Sequence, residues 1–594
     1  MEFAAGPAPS QISPVQNVES IKDKRSEHGK NNEKDAGSTE NNEILDATNH
    51  CCLAEVGEKL PNTMELRSDP VKGEGLFATR DICVLEPICA LPYSTFMALE
   101  TEKLSTTCYS CLAVTSSHIP HIKGTAQEDI SLKTCTGCSQ VKFCGKECQT
   151  KAWKAYHKLE CKIFDLYRHN FPPMMIRAAM RIVLLKDRGL LSKRYWDTLM
   201  NGLVSHEDVW KAAPENNITA MVRDIKFVTN SKMSLETLTR LFWVMRTNSI
   251  ELPISVHGGI GTMLDPIFAK LNHNCNANVT LYRPWHTGKS GWNLESNPNA
   301  EQRSTFATII PLRDIKEGEE LTIFYSDPTL SVKERNTKHL MNYYFECTCA
   351  RCIDDMKAAT ELEERIPVLS AQYVAWSEGV LRQLEQLQAD EEGGHLAYDK
   401  ASQAWEDGIS QYLDHPALYT AGDFDQISLH LAVNGLQLGV FDKALINLLR
   451  SYFLIYPSRI PGRHNYSNIH IMFVMLETLD ILLGINCQDK TVEVVKPADV
   501  KHSLRRLSKR GLSIQTLLYW RRRFCVHLRM CLETSAARDL LPLVAQMQER
   551  VAGHGGSGGS DAAFERDPFA EDAMKKCLRL SETRWRVVLQ ETGC

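Results

Sequence analysis

The chain has 594 residues, too many for a single hydrophobic core, so several domains are expected. Hydrophobic residues make up 43% and charged residues 24%, as in a water-soluble globular protein. A net charge of -5 gives no global attraction for nucleic acid, although a local basic patch remains compatible with it.

The first residues, Met1-Glu2-Phe3-Ala4-Ala5, lack the basic start and apolar run of a secretory leader. Twenty cysteines without such a leader point to reduced thiols and metal sites in the cytosol or nucleus. Residues 1–60 are rich in Ser, Asn, Glu, Lys and Gly and bury too little to order themselves, so a disordered tail is expected. From Met64 the texture turns to short strand-like runs at 75–78, 82–85 and 88–91, punctuated by Pro87 and Pro92. Two glycines, Gly73 and Gly75, flank Glu74 at the start of the first run. They let backbone approach a ligand closely, but a lone G-x-G is far more often an ordinary hairpin turn.

Next come Cys108, Cys111, Cys135, Cys138, Cys144, Cys148, His157 and Cys161, in the spacing C-x2-C, a 23-residue gap, then C-x2-C-x5-C-x3-C-x8-H-x3-C. Eight soft ligands of this kind complete two closed zinc tetrahedra. Residues 162–250 have helical periodicity, clearest at 174–185 and 235–244. Strand-like runs return at 279–282, 305–310 and 320–325, with a polar insert at 284–303 that reads as a long exposed loop.

Leu271-Asn272-His273-Asn274-Cys275 offers donors and acceptors suited to a purine or carboxylate, as any polar turn would. Tyr325 ends the run at 320–325; a strand tyrosine is usually a packing residue with a wet hydroxyl. Cys347, Cys349 and Cys352 form C-x-C-x2-C, one thiolate short of a tetrahedron, and Cys275 is the natural fourth ligand. That closure would bring Asn272 and His273 close to Phe345. The remaining nine cysteines are scattered and read as ordinary thiols.

Beyond residue 357 the pattern is helical. The runs 424–432 and 441–449, separated by a Gly-containing turn, suggest antiparallel helical hairpins of tetratricopeptide type without a clean 34-residue period. The apolar stretch 471–485 is interrupted by Glu477 and Asp480 and reads as a buried helix, not a membrane span. Residues 554–560 read as a flexible linker, and a last helix is expected over 573–591.

Taken together, the G-x-G turn, the Asn-His pair, Tyr325 and the C-x-C-x2-C resemble the SET domain of lysine methyltransferases. The eight-ligand array resembles a MYND finger. A MYND finger set into a SET domain is similar to the SMYD family of protein lysine methyltransferases, over residues 65–355. The resemblance implies an α+β multidomain chain. A tail (1–60) precedes the first SET part (61–107), the finger (108–161), a helical insert (162–250), the SET core (251–330), a cysteine-rich post-SET segment (331–356) and an all-α, TPR-like domain (357–594).

For the site, the resemblance implies S-adenosylmethionine held by Lys72, Gly73, Glu74, Gly75, Asn248, Asn272, His273, Tyr343 and Phe345. Tyr325 would line the same pocket and act as the catalytic tyrosine. It implies three zinc ions, the finger's two interleaved as Cys108, Cys111, Cys144, Cys148 and Cys135, Cys138, His157, Cys161, and the third on Cys275, Cys347, Cys349, Cys352. The expected activity is methyl transfer to lysine of histone or other proteins by a monomer, with a proline-containing peptide as a partner of the finger. Asn274 in place of the commoner Ser, the long gap after Cys111 and the insert at 284–303 depart from the family pattern without removing a site residue. Two other readings compete: a finger-based scaffold with little catalysis, and a nucleic-acid-binding regulator using Arg505, Arg506, Lys509, Arg510 and the run Arg521–Arg523, which a solvated helix face explains equally well.

Overall fold

The protein is described by a computed structural model. It covers most of residues 60–586; outside the description lie 1–59, 93–95, 116–130, 213–215, 255–257, 283–304, 390–393, 416–422, 460–465, 486–495, most of 534–566, 587–594 and a few single positions. The expected tail, the 284–303 loop and the 554–560 linker therefore fall outside the described residues.

The N-terminal half is a patchwork of small sheets. Strand β1 (Met64–Asp69) pairs antiparallel with β2 (Gly73–Ala78), from Met64 opposite Ala78 to Asp69 opposite Gly73. Gly73 makes the turn possible with a φ of 79°, a value that favours glycine. Two further sheets join distant chain segments. Strand β3 (Cys89–Pro92) lies beside β11 (Thr305–Pro311), itself paired with β10 (Val279–Tyr282). Strand β4 (Met97–Leu99) lies beside β8 (Gly258–Met263), which carries β7 (Ile250–Ile254) on its other edge. Strands before residue 108 thus pair with strands after residue 249, across the whole stretch holding the cysteine array and the helices. Inside that stretch the array has its own small pair, β5 (Lys133–Thr134) antiparallel to β6 (Lys142–Phe143), which brackets the Cys135–Cys138 knuckle.

Two expected strands are much shorter than the sequence suggests. Over the described residues 82–84 only Ile82 joins a neighbouring segment by a bridge, opposite Ile315. The chain then turns, because Glu86 accepts the Cys83 N–H and Asp314 accepts the Val84 N–H, so side chains and not a neighbouring strand satisfy this backbone. Over 320–325 only β12 (Thr322–Ile323) is strand, parallel to β9 (Asn272–His273). Here Asn278 Oδ1 accepts the Thr322 N–H at 2.8 Å and His273 Nδ1 accepts the Tyr325 N–H at 3.0 Å, again replacing a ladder with side chains.

Helices Met174–Asp187 and Leu235–Asn248 lie where periodicity places them. Ser192, Ser234 and Ser331 cap following helices through their hydroxyls, and Ser331 with Glu334 closes a reciprocal capping box before Val332–Tyr343. One continuous core runs from Met64 to Ile323 and takes in Cys108, Val141, Phe143 and Phe164 of the cysteine array and its flank. The array is therefore packed into the body of the protein.

The C-terminal region is helical, with its own core around Trp405, Phe453 and Trp520. Helices Phe424–Gln437 and Phe441–Arg450 form the expected hairpin, turning at Gly439 with a φ of 74°. Helix Tyr466–Leu483 buries the stretch read as a core helix, and no helix among the described residues is long and apolar enough to cross a membrane. Where one last helix is expected, Pro568–Cys577 is helical and the chain breaks at Arg579, whose φ is 59°. Helical residues return at Glu582, Trp585 and Arg586, most of the remainder lying outside the described residues. Asp567 explains the earlier start, since its carboxylate caps the Phe569 and Ala570 N–H groups.

The basic residues are largely committed internally. Arg521 is buried against Asp480, Arg523 against Glu571, Arg506 reaches Asp442, and Arg510 reaches Glu406. Of the run Arg521–Arg523 only Arg522 is exposed, which leaves little of it to face a phosphate backbone.

Candidate functional site

Three four-ligand clusters stand among the described residues: Cys108, Cys111, Cys144, Cys148; Cys135, Cys138, His157, Cys161; and Cys275, Cys347, Cys349, Cys352. Within each, the ligand atoms lie within 4.8 Å of one another. A tetrahedron with Zn–S bonds of about 2.3 Å has sulfur–sulfur edges of about 3.8 Å. The observed edges sit around that value: 3.6 Å for Cys111–Cys144, 3.8 Å for Cys135–Cys161, and 3.4 and 4.0 Å from Cys275 to Cys352 and Cys347. The donor sets fit zinc in number, type and spacing.

The second cluster is anchored from behind. His157 ends a widened helical turn, Trp153–His157, and aims Nε2 at Cys135 Sγ, 3.4 Å away. Its Nδ1 lies 3.6 Å from Glu160 Oε2, and Glu160 pairs with Arg181 on the helix Met174–Asp187. Arg181 also donates to Met97 O at 2.6 Å and to the Tyr109 hydroxyl at 2.6 Å, with its guanidinium 3.9 Å from the Tyr156 ring centre. Ligands commonly hold their outer nitrogen against such a carboxylate. Burial alone would push the Glu160 carboxyl up, but Arg181 and hydrogen bonding reverse this and hold it at about 2.

The third cluster adjoins a second group of side chains. The parallel pairing of β9 with β12 sets Asn272 and His273 beside the segment leading to Tyr325. Tyr325 donates its hydroxyl to Leu271 O at 2.9 Å, and its ring lies 4.6 Å from Tyr343 and 5.3 Å from His273. Tyr343 closes the helix Val332–Tyr343; Phe345 follows two residues later and stacks on His339 at 5.2 Å. His273 Nε2 lies 3.1 Å from Cys275 Sγ, so one imidazole joins the cysteine cluster to the Tyr325 backbone. Burial drives His273 down to about 3 and His339 down to about 4, so both rings are neutral. Burial raises the Tyr325 hydroxyl above its ordinary value, and lifts Tyr343 to about 12. The two hydroxyls therefore keep their protons at neutral pH.

The G-x-G turn faces the same place. Asn272 Nδ2 donates to Glu320 Oε1 at 2.8 Å and to Glu74 O at 3.3 Å, while Lys72 Nζ reaches Glu320 Oε2 at 2.6 Å. A Cβ at Gly75 would sit 2.8 Å from Asn272 Nδ2 and 2.9 Å from Glu320 Oε1, so any larger residue there has to move one of these two side chains. Glu74 turns to the buried Lys270, 2.7 Å away. Asn248, by contrast, commits its amide to Val204 O and Val244 O, both at 2.7 Å. Its helix reaches the site through Trp243, 6.2 Å from Tyr344, which also packs on His206 at 4.8 Å.

Four residues of this neighbourhood escaped the sequence reading: Glu320, Lys270, His339 and Tyr344. Glu320 lay in a stretch read as turn and strand, and its carboxylate proves to be the hub for Lys72 and Asn272. Tyr344 adopts a left-handed φ of 58°, which swings it away from its neighbours Tyr343 and Phe345. The adjacent aromatic triplet was the available signal; the helix end that fans it out was not visible in it.

Residues 108–161 match the zf-MYND family, the MYND finger. Over 293 residues the chain is 24% identical to SET domain and MYND-type zinc finger protein 6 of Schizosaccharomyces pombe, covering 48% of this chain and 51% of that protein. The chain is thus similar to SET and MYND domain proteins, with the finger itself at 108–161. It is also 25% identical over 316 residues to N-lysine methyltransferase SMYD2-A of Xenopus laevis, covering 51% and 64%. With histone-lysine N-methyltransferase SMYD3 of Homo sapiens it shares 26% over 368 residues, covering 58% and 74%. The chain thus spans about half to two thirds of the length of the first of these SMYD relatives. The MYND match and the two closed tetrahedra give the finger's eight ligands a structural role, since closed tetrahedra leave no position for a reactant.

Proposed function

We propose that the chain is an S-adenosylmethionine-dependent protein lysine methyltransferase, with a SET domain split by the MYND finger and the helical segment. The observation that carries this reading is the convergence of Gly73–Gly75, Asn272, His273, Tyr325, Tyr343 and Phe345 beside the third cysteine cluster. The names of the SMYD2-A and SMYD3 relatives support the same chemistry.

S-adenosylmethionine supplies a methyl group carried on a cationic sulfonium. The residues Lys72, Gly73, Glu74, Gly75, Asn272, His273, Tyr343 and Phe345 would hold it, whereas the Asn248 amide N–H groups are taken by Val204 O and Val244 O. The glycine turn leaves room where a Cβ would collide, and the Asn272 amide and Lys72 ammonium offer donors to a carboxylate or ribose. Aromatic faces at Tyr325, Tyr343 and Phe345 favour a neighbouring cation. Methyl transfer demands alignment above all, and the hydrogen bonds fixing Tyr325 to Leu271 and His273 supply it. A target lysine must arrive as the neutral amine, and desolvation among these rings disfavours its ammonium form. The Tyr325 hydroxyl orients the amine and keeps its own proton.

The test is incorporation of labelled methyl from S-adenosylmethionine into histones and cell lysate by the full chain. Incorporation at lysine is expected; none across both substrate pools would remove the proposal. Within it, Gly75→Ala is expected to weaken S-adenosylmethionine binding by about tenfold or more, since a cost of about 1.4 kcal/mol for moving Asn272 or Glu320 suffices. Calorimetric titration reads this directly, and unchanged affinity would take the glycine turn out of the site.

A further inference from the structure

One set of ligand-bearing side chains has no part in the three tetrahedra as a group. His273, His339 and Cys347 each place one ligand atom within 4.8 Å of the others. His339 is fully buried on the helix Val332–Tyr343. Its Nε2 lies 3.0 Å from Ser326 Oγ, and its Nδ1 has no hydrogen-bond partner. A buried polar atom left unpaired costs about 1–3 kcal/mol, so its presence calls for a cause. The His339 and His273 rings are 4.1 Å apart.

We propose that His273, His339 and the shared thiolate of Cys347 form a second metal position against the third cysteine cluster, taking a borderline or soft divalent cation such as Zn2+ or Cd2+. Neutral imidazoles and thiolate are the donors these ions prefer. A thiolate bound to one ion keeps lone pairs for a second, so Cys347 bridges without leaving its own tetrahedron. Three protein ligands leave the fourth position to water.

Occupancy has a definite consequence for the neighbouring site. His273 Nδ1 accepts the Tyr325 N–H, so the ring proton sits on Nε2, facing Cys275 Sγ. A cation bound at Nε2 displaces that proton to Nδ1, with none released and no electron transferred. The Nδ1–H then opposes the Tyr325 N–H, two donors face each other, and the Tyr325 backbone has to move. Filling this metal position therefore switches off methyl transfer, a consequence that rests on the methyltransferase reading, whereas the metal position does not.

The experiment counts metal bound to the full chain at low and raised free Zn2+, and follows methyl transfer in parallel. Wild type is expected to rise from three to four equivalents and to lose activity as it does so. His339→Gln is expected to stay at three and to keep whatever activity it shows without added zinc. A wild-type count fixed at three overturns the proposal, as does a fourth equivalent that persists in His339→Gln. Should that variant not fold, cadmium NMR of the wild type decides: a fourth resonance upfield of the all-cysteine ones supports the position, and its absence overturns it. A fourth equivalent in a chain inactive at every zinc level would support the metal position and count against the methyltransferase reading alone.

Discussion

Glu160→Gln is expected to destabilise the N-terminal half by about 3–5 kcal/mol, the usual cost of removing one partner from a buried ion pair. The substitution preserves shape and removes only charge. What it strands is Arg181, buried with its guanidinium between Met97 O, the Tyr109 hydroxyl and the Tyr156 ring. Neither neutral oxygen compensates a full positive charge away from water. The effect should reach the metal too, because Glu160 stands behind His157. Loss of such an outer partner commonly weakens a metal site by about 10–100-fold. Guanidinium unfolding and metal retention under a chelator measure both. The control is Glu147→Gln: its pair with Lys151 is almost fully in water, 81% and 71% exposed, and its loss should go unnoticed. Equal unfolding midpoints for Glu160→Gln and wild type would show that finger and helix are not coupled through this carboxylate.

That coupling was not legible in the sequence. The ligand spacing announced metal and even its closed geometry, because C-x2-C knuckles and a following His and Cys constrain local backbone strongly. Nothing in the spacing said that Glu160, one residue before Cys161, would face inward toward Arg181, twenty-one positions on. The same limit applies to the candidate site. Its glycines, Asn272, His273 and Tyr325 are local motifs and could be picked out, whereas the Glu320 hub needs β2 and the segment 319–321 side by side. That neighbourhood is set by long-range bonds such as Leu321 N–H to Leu76 O.

Strand boundaries failed for a related reason. The runs 82–85 and 320–325 are apolar and β-branched enough to read as strands. Isolated backbone contacts hold Ile82 to Ile315 and Leu321 to Leu76, but the N–H groups of Cys83, Val84, Thr322 and Tyr325 go to the Glu86, Asp314, Asn278 and His273 side chains. A side chain that satisfies an N–H ends a ladder as effectively as proline does, and leaves no local signature. Around Tyr325 the substitution of side chain for strand has a use, since it ties the tyrosine's position to an imidazole that also touches the third cluster.

Tyr325→Phe carries the largest expected effect on activity: a fall in kcat of about 10²-fold or more, with S-adenosylmethionine affinity held within a few-fold. The ring would keep its packing on Tyr343 and His273, and the backbone N–H its bond to His273. Only the hydroxyl goes, and with it the bond to Leu271 O and the group proposed to orient the incoming amine. Misplacement of a reacting group by about 1 Å can cost that factor, and catalysis by alignment is sensitive to it in kcat before KM. Leu271 O loses its partner as well, for which a stability loss of about 1 kcal/mol is expected. Because burial raises the hydroxyl above its ordinary range, the wild-type rate should climb with pH as the target lysine loses its proton, and the Tyr325→Phe variant should leave that profile's shape unchanged at a lower height. Steady-state kinetics across pH with labelled donor decide the matter. An unchanged kcat would remove Tyr325 from the reaction, and a profile that flattens in the variant would make the tyrosine a proton acceptor instead of a guide.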